Sequence, residues 1–98
     1  MTKFISKKEL ENLLSHDDKL VIIDVRSNED FNQQHIPKAI NIPIDHLEVE
    51  SKQFIPNVLY TTVCGKGGGR SEQAAQLLNN SSFKAYFLQD GTLGWFEE

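Results

Sequence analysis

The amino-acid sequence predicts an α/β fold, a three-layer sandwich in which a central parallel sheet of four or five strands has helices on both faces. Short apolar runs at 20–24, 58–63 and 83–88 have the length and composition of buried parallel strands. Stretches with helical spacing of apolar residues alternate with these runs, as is typical of parallel sheets. The chain of 98 residues fits a single domain, 1–98, with a core of its own.

The first quarter of the chain predicts a capped helix followed by a strand. Ser6 and Glu9 have the spacing of a capping box, in which each side chain satisfies the backbone N–H of the other residue. Leucines at 10–14 then mark one face of a short helix, and the two apolar residues before Ser6 can add a short edge strand. The run at 20–24 is expected to be a strand covered on both faces.

The rest of the chain continues the alternation of strands and helices. The further predicted elements are a helix at 27–34, a short strand at 40–42, a possible helical turn at 45–52, the strand at 58–63, a helix around 71–78 and the strand at 83–88. Trp95 and Phe96 close the chain and are expected to cap the core over the sheet.

The loop between the strand at 58–63 and the following helix holds the only cysteine, Cys64. Glycine permits tight turns and positive φ, so successive backbone N–H groups can converge on one spot. The next helix adds its unpaired N–H groups and positive dipole end, and Arg70 adds a planar fork of donors. These features predict a reactive thiolate at Cys64. The residues predicted to bind the substrate are Gly65, Lys66, Gly67, Gly68, Gly69, Arg70 and Ser71.

The loop sequence has other possible interpretations. A lone cysteine can be a buried free thiol that acts only as a small apolar side chain. A phosphate-binding P-loop needs a glycine where Tyr60 stands and a serine or threonine where Gly67 stands. The dinucleotide-binding pattern fails because Arg70 occupies the place of its last glycine. No cofactor motif is present, so no cofactor is expected.

Charge and composition restrict the class of ligand. The net charge is −4, yet residues 51–71 contain three cations (Lys52, Lys66 and Arg70) and no carboxylate. A basic loop on an acidic chain indicates a small anionic ligand and argues against nucleic acid and anionic membranes as main partners. One cysteine excludes an internal disulfide, and the expected location is the cytoplasm.

Asp24 and Arg26 end the strand at 20–24 and are expected on the same rim as Cys64, because ligands sit beyond the carboxyl ends of parallel strands. They either orient the cysteine loop or form a partly buried ion pair that holds the turn into the next helix. The histidines at 16, 35 and 46 are not clustered with Cys64 at ligand spacing, so no metal site is predicted.

Four ordered blocks resemble a rhodanese-like domain, and together they cover nearly the whole chain. These blocks are 21–26, 35–43, 64–75 and 90–95. The resemblance implies the rhodanese-like three-layer sandwich and a thiosulfate sulfurtransferase. In that family the cysteine matching Cys64 takes a sulfane sulfur as a persulfide and passes it to a thiol or cyanide. The implied partners are a small anionic sulfur donor and a thiol acceptor, which can be a protein.

The sequence departs from the family pattern at three points. Lys38 and Asp90 replace common glycines, and the C-x5-R spacing from Cys64 to Arg70 is one residue longer than in common single-domain rhodaneses. The longer spacing resembles rhodanese-fold cysteine phosphatases and arsenate reductases, which gives a second hypothesis. Against it, the loop contains no carboxylate to serve as a general acid. A third hypothesis is a non-catalytic module that binds a partner protein through this surface.

Overall fold

Five parallel strands form one sheet, with the strand that leads to Cys64 in the middle. The computed structural model describes residues 2–16, 19–67 and 69–97. The strands are β1 (Lys3–Ile5), β2 (Leu20–Asp24), β3 (Ile40–Asn41), β4 (Leu59–Val63) and β5 (Lys84–Leu88). Their order in the sheet is β1-β5-β4-β2-β3, and every pairing is parallel. All strands therefore end at the same edge, which confirms the predicted α/β fold.

Helices cover both faces of this sheet. They are α1 (Lys7–His16), α2 (Asn28–Gln33), α3 (Ile44–Glu50), α4 (Gly69–Asn80) and α5 (Gly91–Trp95), with a short 3₁₀ turn at Ser51–Gln53. Side chains of α3 and α4 pack in one core cluster with alternate strand residues such as Ile23 and Ala85. Side chains of α1, α2 and α5 pack in a second cluster with the intervening strand residues, including Ile22 and Leu88. In the described parts of the chain, no helix has the length and apolar character needed to cross a membrane.

The predicted capping box of α1 is present, and α2 has a cap that was not predicted. The Ser6 N–H donates to Glu9 Oε1 (3.0 Å) and the Glu9 N–H donates to Ser6 Oγ (3.1 Å), which is the reciprocal capping box. Ser27 caps α2, where its hydroxyl oxygen accepts from the Asp30 N–H (3.2 Å). These short-range signals fix where the helices begin.

Two predictions about the second half of the chain need correction, and one helix there was not predicted. Helix α4 begins at Gly69 and not at Ser71, so Arg70 lies in the first helical turn and not in the loop. The closing segment contains the helix α5, which the sequence analysis did not predict. Trp95 is half-buried against the second core cluster as expected, but Phe96 is 41% exposed, so its predicted place in the core is wrong.

Candidate active site

Cys64 directly follows β4 at the edge where the strands end. The register pairs Val63 with Asp24, the last residue of β2, and the Val25 N–H donates to the Val63 carbonyl (2.9 Å). The turns that leave β2 and β4 therefore lie side by side. The parallel topology brings the predicted rim residues Asp24 and Cys64 together.

The sulfur atom of Cys64 points at the start of α4. Cys64 is 5% exposed, and its thiol donates a hydrogen bond to Ser71 Oγ at 3.4 Å. Ser71 is fully buried in the first turn of α4, and its carbonyl accepts a 2.7 Å hydrogen bond from the Thr62 hydroxyl. The first turn of a helix carries unpaired N–H groups and a partial positive charge. The sulfur of Cys64 is therefore directed toward a setting that favours negative charge.

The loop after Cys64 has the backbone freedom that its glycines predict. Gly67 has a φ of +83° and Gly69 a φ of +46°, both in the left-handed region that favours glycine. Gly65 and Gly67 are half-buried, whereas Gly69 is exposed. Gly68, also predicted to bind substrate, lies outside the described residues.

Two cations, Lys66 and Arg70, belong to the loop after Cys64 and to the first turn of α4, respectively. Lys66 and Arg70 are exposed, and among the residues that the structure describes neither is paired with a carboxylate. Their charges are therefore available to an anion that approaches Cys64 from solvent.

Asp24 and Arg26 form a buried ion pair on the neighbouring turn. Arg26 Nη2 lies 2.8 Å from Asp24 Oδ2, and Arg26 Nε lies 3.0 Å from Oδ1. The Arg26 N–H also donates to Asp24 Oδ1 (3.0 Å), and Nη2 donates to the Gln34 carbonyl (2.6 Å). The ion pair is the one that the structural interpretation predicted, and the contact with Gln34, which was not predicted, ties the end of β2 to the end of α2.

Arg26 also interacts electrostatically with Cys64. The hydrogen bonds that Arg26 donates to the Asp24 carboxylate raise the pKa of the Arg26 guanidinium above its ordinary value, against the opposing effect of burial. The negative charges of Asp24, Asp30 and Cys64 raise this pKa further. Arg26 is thus a permanent cation close enough to interact with a charged sulfur on Cys64. Its role in orienting the loop stays a prediction.

Helix α5 contacts the loop, which the sequence analysis missed. The Thr92 N–H donates to the Cys64 carbonyl (2.8 Å), and the Leu93 N–H donates to the Gly65 carbonyl (2.9 Å). Gly91, with a φ of +61°, is buried against the loop. The two glycines of the block at 90–95 were the available signal, because glycine often marks a close approach of two backbone segments.

No hydrogen bond between a histidine and the cysteine loop is found in the described parts of the chain. All three histidines are exposed, and Nδ1 of His16 and of His35 is hydrogen-bonded to a carbonyl four residues earlier. Within the described residues, no group of three or more His, Cys, Asp or Glu side chains could hold a metal ion.

Comparisons with known proteins converge on one family. Residues 6–98 match the family model described as Rhodanese-like domain. The structure of a rhodanese-like domain protein from Staphylococcus aureus superimposes with a TM-score of 0.88 at 32% identity, covering 99% of this chain and 94% of that one.

Two curated relatives come from Bacillus subtilis strain 168. The putative sulfurtransferase YtwF is 27% identical, with 95% of this chain and 89% of the relative covered. The putative sulfur carrier protein YrkF is 31% identical, with 82% of this chain and 43% of the relative covered. The match therefore spans less than half the length of YrkF.

Proposed function

Because this chain belongs to the rhodanese-like domain family, we propose that it is a sulfurtransferase acting through a Cys64 persulfide. It takes a sulfane sulfur from thiosulfate or a persulfide donor and passes it to a thiol or cyanide. The observation that carries this proposal is the environment of the Cys64 sulfur atom. Cys64 Sγ lies beside Ser71 in the first turn of α4, and the same loop and helix start carry two exposed cations, Lys66 and Arg70.

The proposed reaction has two balanced displacement steps. The Cys64 thiolate attacks the outer sulfur of thiosulfate, a new S–S bond forms, and sulfite leaves with the electron pair of the broken S–S bond. The product is a Cys64 persulfide anion. An acceptor thiolate or cyanide then attacks the outer sulfur, and the electron pair returns to the Cys64 thiolate. The three negative charges of the first step are conserved, so no proton, oxidant or reductant is needed.

Each group of the site has a role in these steps. Lys66 and Arg70 attract the thiosulfate dianion and offset its charge as it meets the thiolate. The Ser71 hydroxyl can turn to donate to the Cys64 sulfur once that sulfur is charged. The persulfide adds an atom about 2 Å from Sγ, which carries the reactive sulfur outward from a nearly buried side chain. An acceptor thiol, small or on a protein, can then reach it.

The spacing between Cys64 and Arg70 keeps phosphate-ester hydrolysis or arsenate reduction as the alternative. Ester hydrolysis favours a general acid near the leaving group. Both oxygens of Asp24 are occupied by Arg26, so this rim carboxylate is engaged in an ion pair. Sulfur transfer needs no such acid, so the engagement of Asp24 favours the sulfurtransferase.

Thiocyanate release from thiosulfate and cyanide tests the proposal. We expect Cys64-dependent turnover with ping-pong kinetics, because a covalent intermediate separates the two half-reactions. The control is Cys64→Ser, which should be inactive. A phosphate-ester assay on the same sample discriminates the alternatives. Ester hydrolysis that depends on Cys64, without thiocyanate release, would replace the sulfurtransferase by a phosphatase, and inactivity in both assays would favour a binding module.

A further inference from the structure

Helix α5 holds two carbonyl groups of the cysteine loop. The Cys64 carbonyl accepts from the Thr92 N–H at 2.8 Å, and the Gly65 carbonyl accepts from the Leu93 N–H at 2.9 Å. Thr92 is fully buried, so its hydrogen bond is shielded from water. Two consecutive peptide groups of the loop are therefore fixed by two consecutive N–H groups of α5.

Fixing these carbonyls also fixes the N–H groups on the other side of each peptide plane. In a planar trans peptide the C=O and N–H bonds point in opposite directions. The Cys64 carbonyl shares its plane with the Gly65 N–H, and the Gly65 carbonyl shares its plane with the Lys66 N–H. Both N–H groups consequently point away from α5.

The contact between α5 and the loop is too close for a side chain at two glycines. A Cβ atom on Gly91 would lie 2.6 Å from the Cys64 carbonyl oxygen, 2.6 Å from the Gly67 nitrogen and 2.7 Å from the Gly65 carbonyl oxygen. A Cβ atom on Gly67 would lie 2.5 Å from the Asp90 nitrogen. Each has a positive φ as well, so steric and backbone requirements coincide at both positions.

Helix α5 is anchored to the body of the protein at its other end. Trp95 packs against the core cluster that contains Leu10 of α1. The Lys7 ammonium lies 5.8 Å from the centroid of the Trp95 ring and donates to the Glu97 carbonyl (3.3 Å). The loop is thus braced through α5 against α1.

We propose that Gly91 is a positioning residue for sulfur transfer. Because Gly91 has no side chain, the first turn of α5 can pack closely against the loop. This packing directs the Gly65 and Lys66 N–H groups toward the persulfide anion on Cys64. This inference rests on the proposed sulfurtransferase function. It adds a positioning role for a residue 27 positions after the cysteine in the sequence.

A kinetic comparison of three proteins tests this role. Persulfide formation with thiosulfate is followed by rapid quench and intact-mass spectrometry in the wild type, Gly91→Ala and Ile22→Val. Ile22 is a buried β2 residue of the second core cluster, so its variant controls for a modest loss of stability. We expect at least a tenfold slower reaction in Gly91→Ala and a change of less than twofold in Ile22→Val, both measured well below their melting temperatures.

A second readout uses the wild type alone and remains decisive if Gly91→Ala does not fold. In ¹⁵N-labelled protein, persulfide formation should shift the amide proton resonances of Gly65 and Lys66 downfield, while the Thr92 and Leu93 amides stay protected from exchange. A folded Gly91→Ala should lose the Gly65 and Lys66 shifts.

The possible failures are distinguishable. A wild type that forms no persulfide overturns the proposed function and this inference with it. A wild-type persulfide that forms equally fast in Gly91→Ala, or that leaves the Gly65 and Lys66 resonances unmoved, overturns the role of Gly91 alone.

Discussion

The side chain of Cys64 is almost as buried as the aliphatic residues of the core, yet its surroundings are polar on one side. Its sulfur contacts the Ser71 hydroxyl at 3.4 Å, and the charge of Arg26 interacts with it. Composition alone would favour an inert packing role for a lone buried cysteine. The Ser71 hydroxyl and the start of α4 give this sulfur polar neighbours, and we propose on this ground that it is reactive.

Substitution of Arg70 tests whether this side chain binds the anionic substrate. Arg70→Ala should lower kcat/KM for thiosulfate by roughly 10- to 150-fold, because a charge-assisted hydrogen bond contributes about 1.5–3 kcal/mol. Arg70→Lys should recover part of this loss, since lysine keeps the charge but not the planar fork. Lys84→Ala removes an exposed cation at the start of β5, the opposite edge of the sheet, and should change little. Equal kcat/KM in the wild type and both Arg70 variants would mean that Arg70 has no direct part.

The buried pair of Asp24 and Arg26 leads to a stability prediction. Asp24→Ala should lower the free energy of unfolding by about 3–5 kcal/mol, because it leaves the Arg26 charge buried without its partner. Asp30→Ala removes an exposed carboxylate that also acts on Arg26 and should cost about 1 kcal/mol or less. Urea denaturation measures both changes, and similar losses in the two variants would refute the buried-pair account.

Among the helices, α1 and α2 could be predicted from short-range signals, whereas α5 could not. The capping box of Ser6 and Glu9 and the cap at Ser27 are local patterns that the sequence displays. Helix α5 has five residues, two of them glycines, and Asp90 before it adopts a left-handed φ of 69°. Its stability comes from tertiary hydrogen bonds to the loop, which local propensity does not encode. The same reasoning explains why the contact between Gly91 and the loop was missed.

The capping box of α1 gives a prediction about pH. Hydrogen bonds from the Ser6 backbone N–H, and then from its side chain, hold the pKa of Glu9 below its ordinary value of 4.5. The ionised carboxylate therefore stabilises the folded state above pH 4.5, and this contribution is lost as the pH falls through the lower pKa of the folded protein. Glu9→Gln should have a lower melting temperature than the wild type at pH 6, and the difference should shrink below pH 4. A difference that is constant with pH would contradict this account.

The fold brings residues of the candidate site together from distant parts of the sequence, because every strand of the sheet ends at the same edge. Asp24 is the last residue of β2, Cys64 directly follows β4, and Gly91 begins α5 after β5. The alternation of strands and helices predicted this edge, because parallel strands place their carboxyl ends together. It did not predict which backbone groups meet there, since the contacts of the Cys64 and Gly65 carbonyls depend on the path of α5.

The buried ion pair at the rim shows a second limit of prediction from sequence. The parallel topology alone predicts Asp24 and Arg26 at the rim. It does not decide whether the pair orients the cysteine loop or forms an ion pair that holds the turn. The bidentate geometry of the pair and the hydrogen bond that Arg26 donates to the Gln34 carbonyl depend on the positions of side chains. The spacing of residues in the sequence does not determine these positions.

Intact-mass spectrometry of the protein after incubation with thiosulfate tests the central claim most directly. The account predicts a gain of one sulfur atom that is absent in Cys64→Ser and is removed by cyanide. No sulfur adduct on the folded wild type, together with phosphate-ester hydrolysis that requires Cys64, would contradict it.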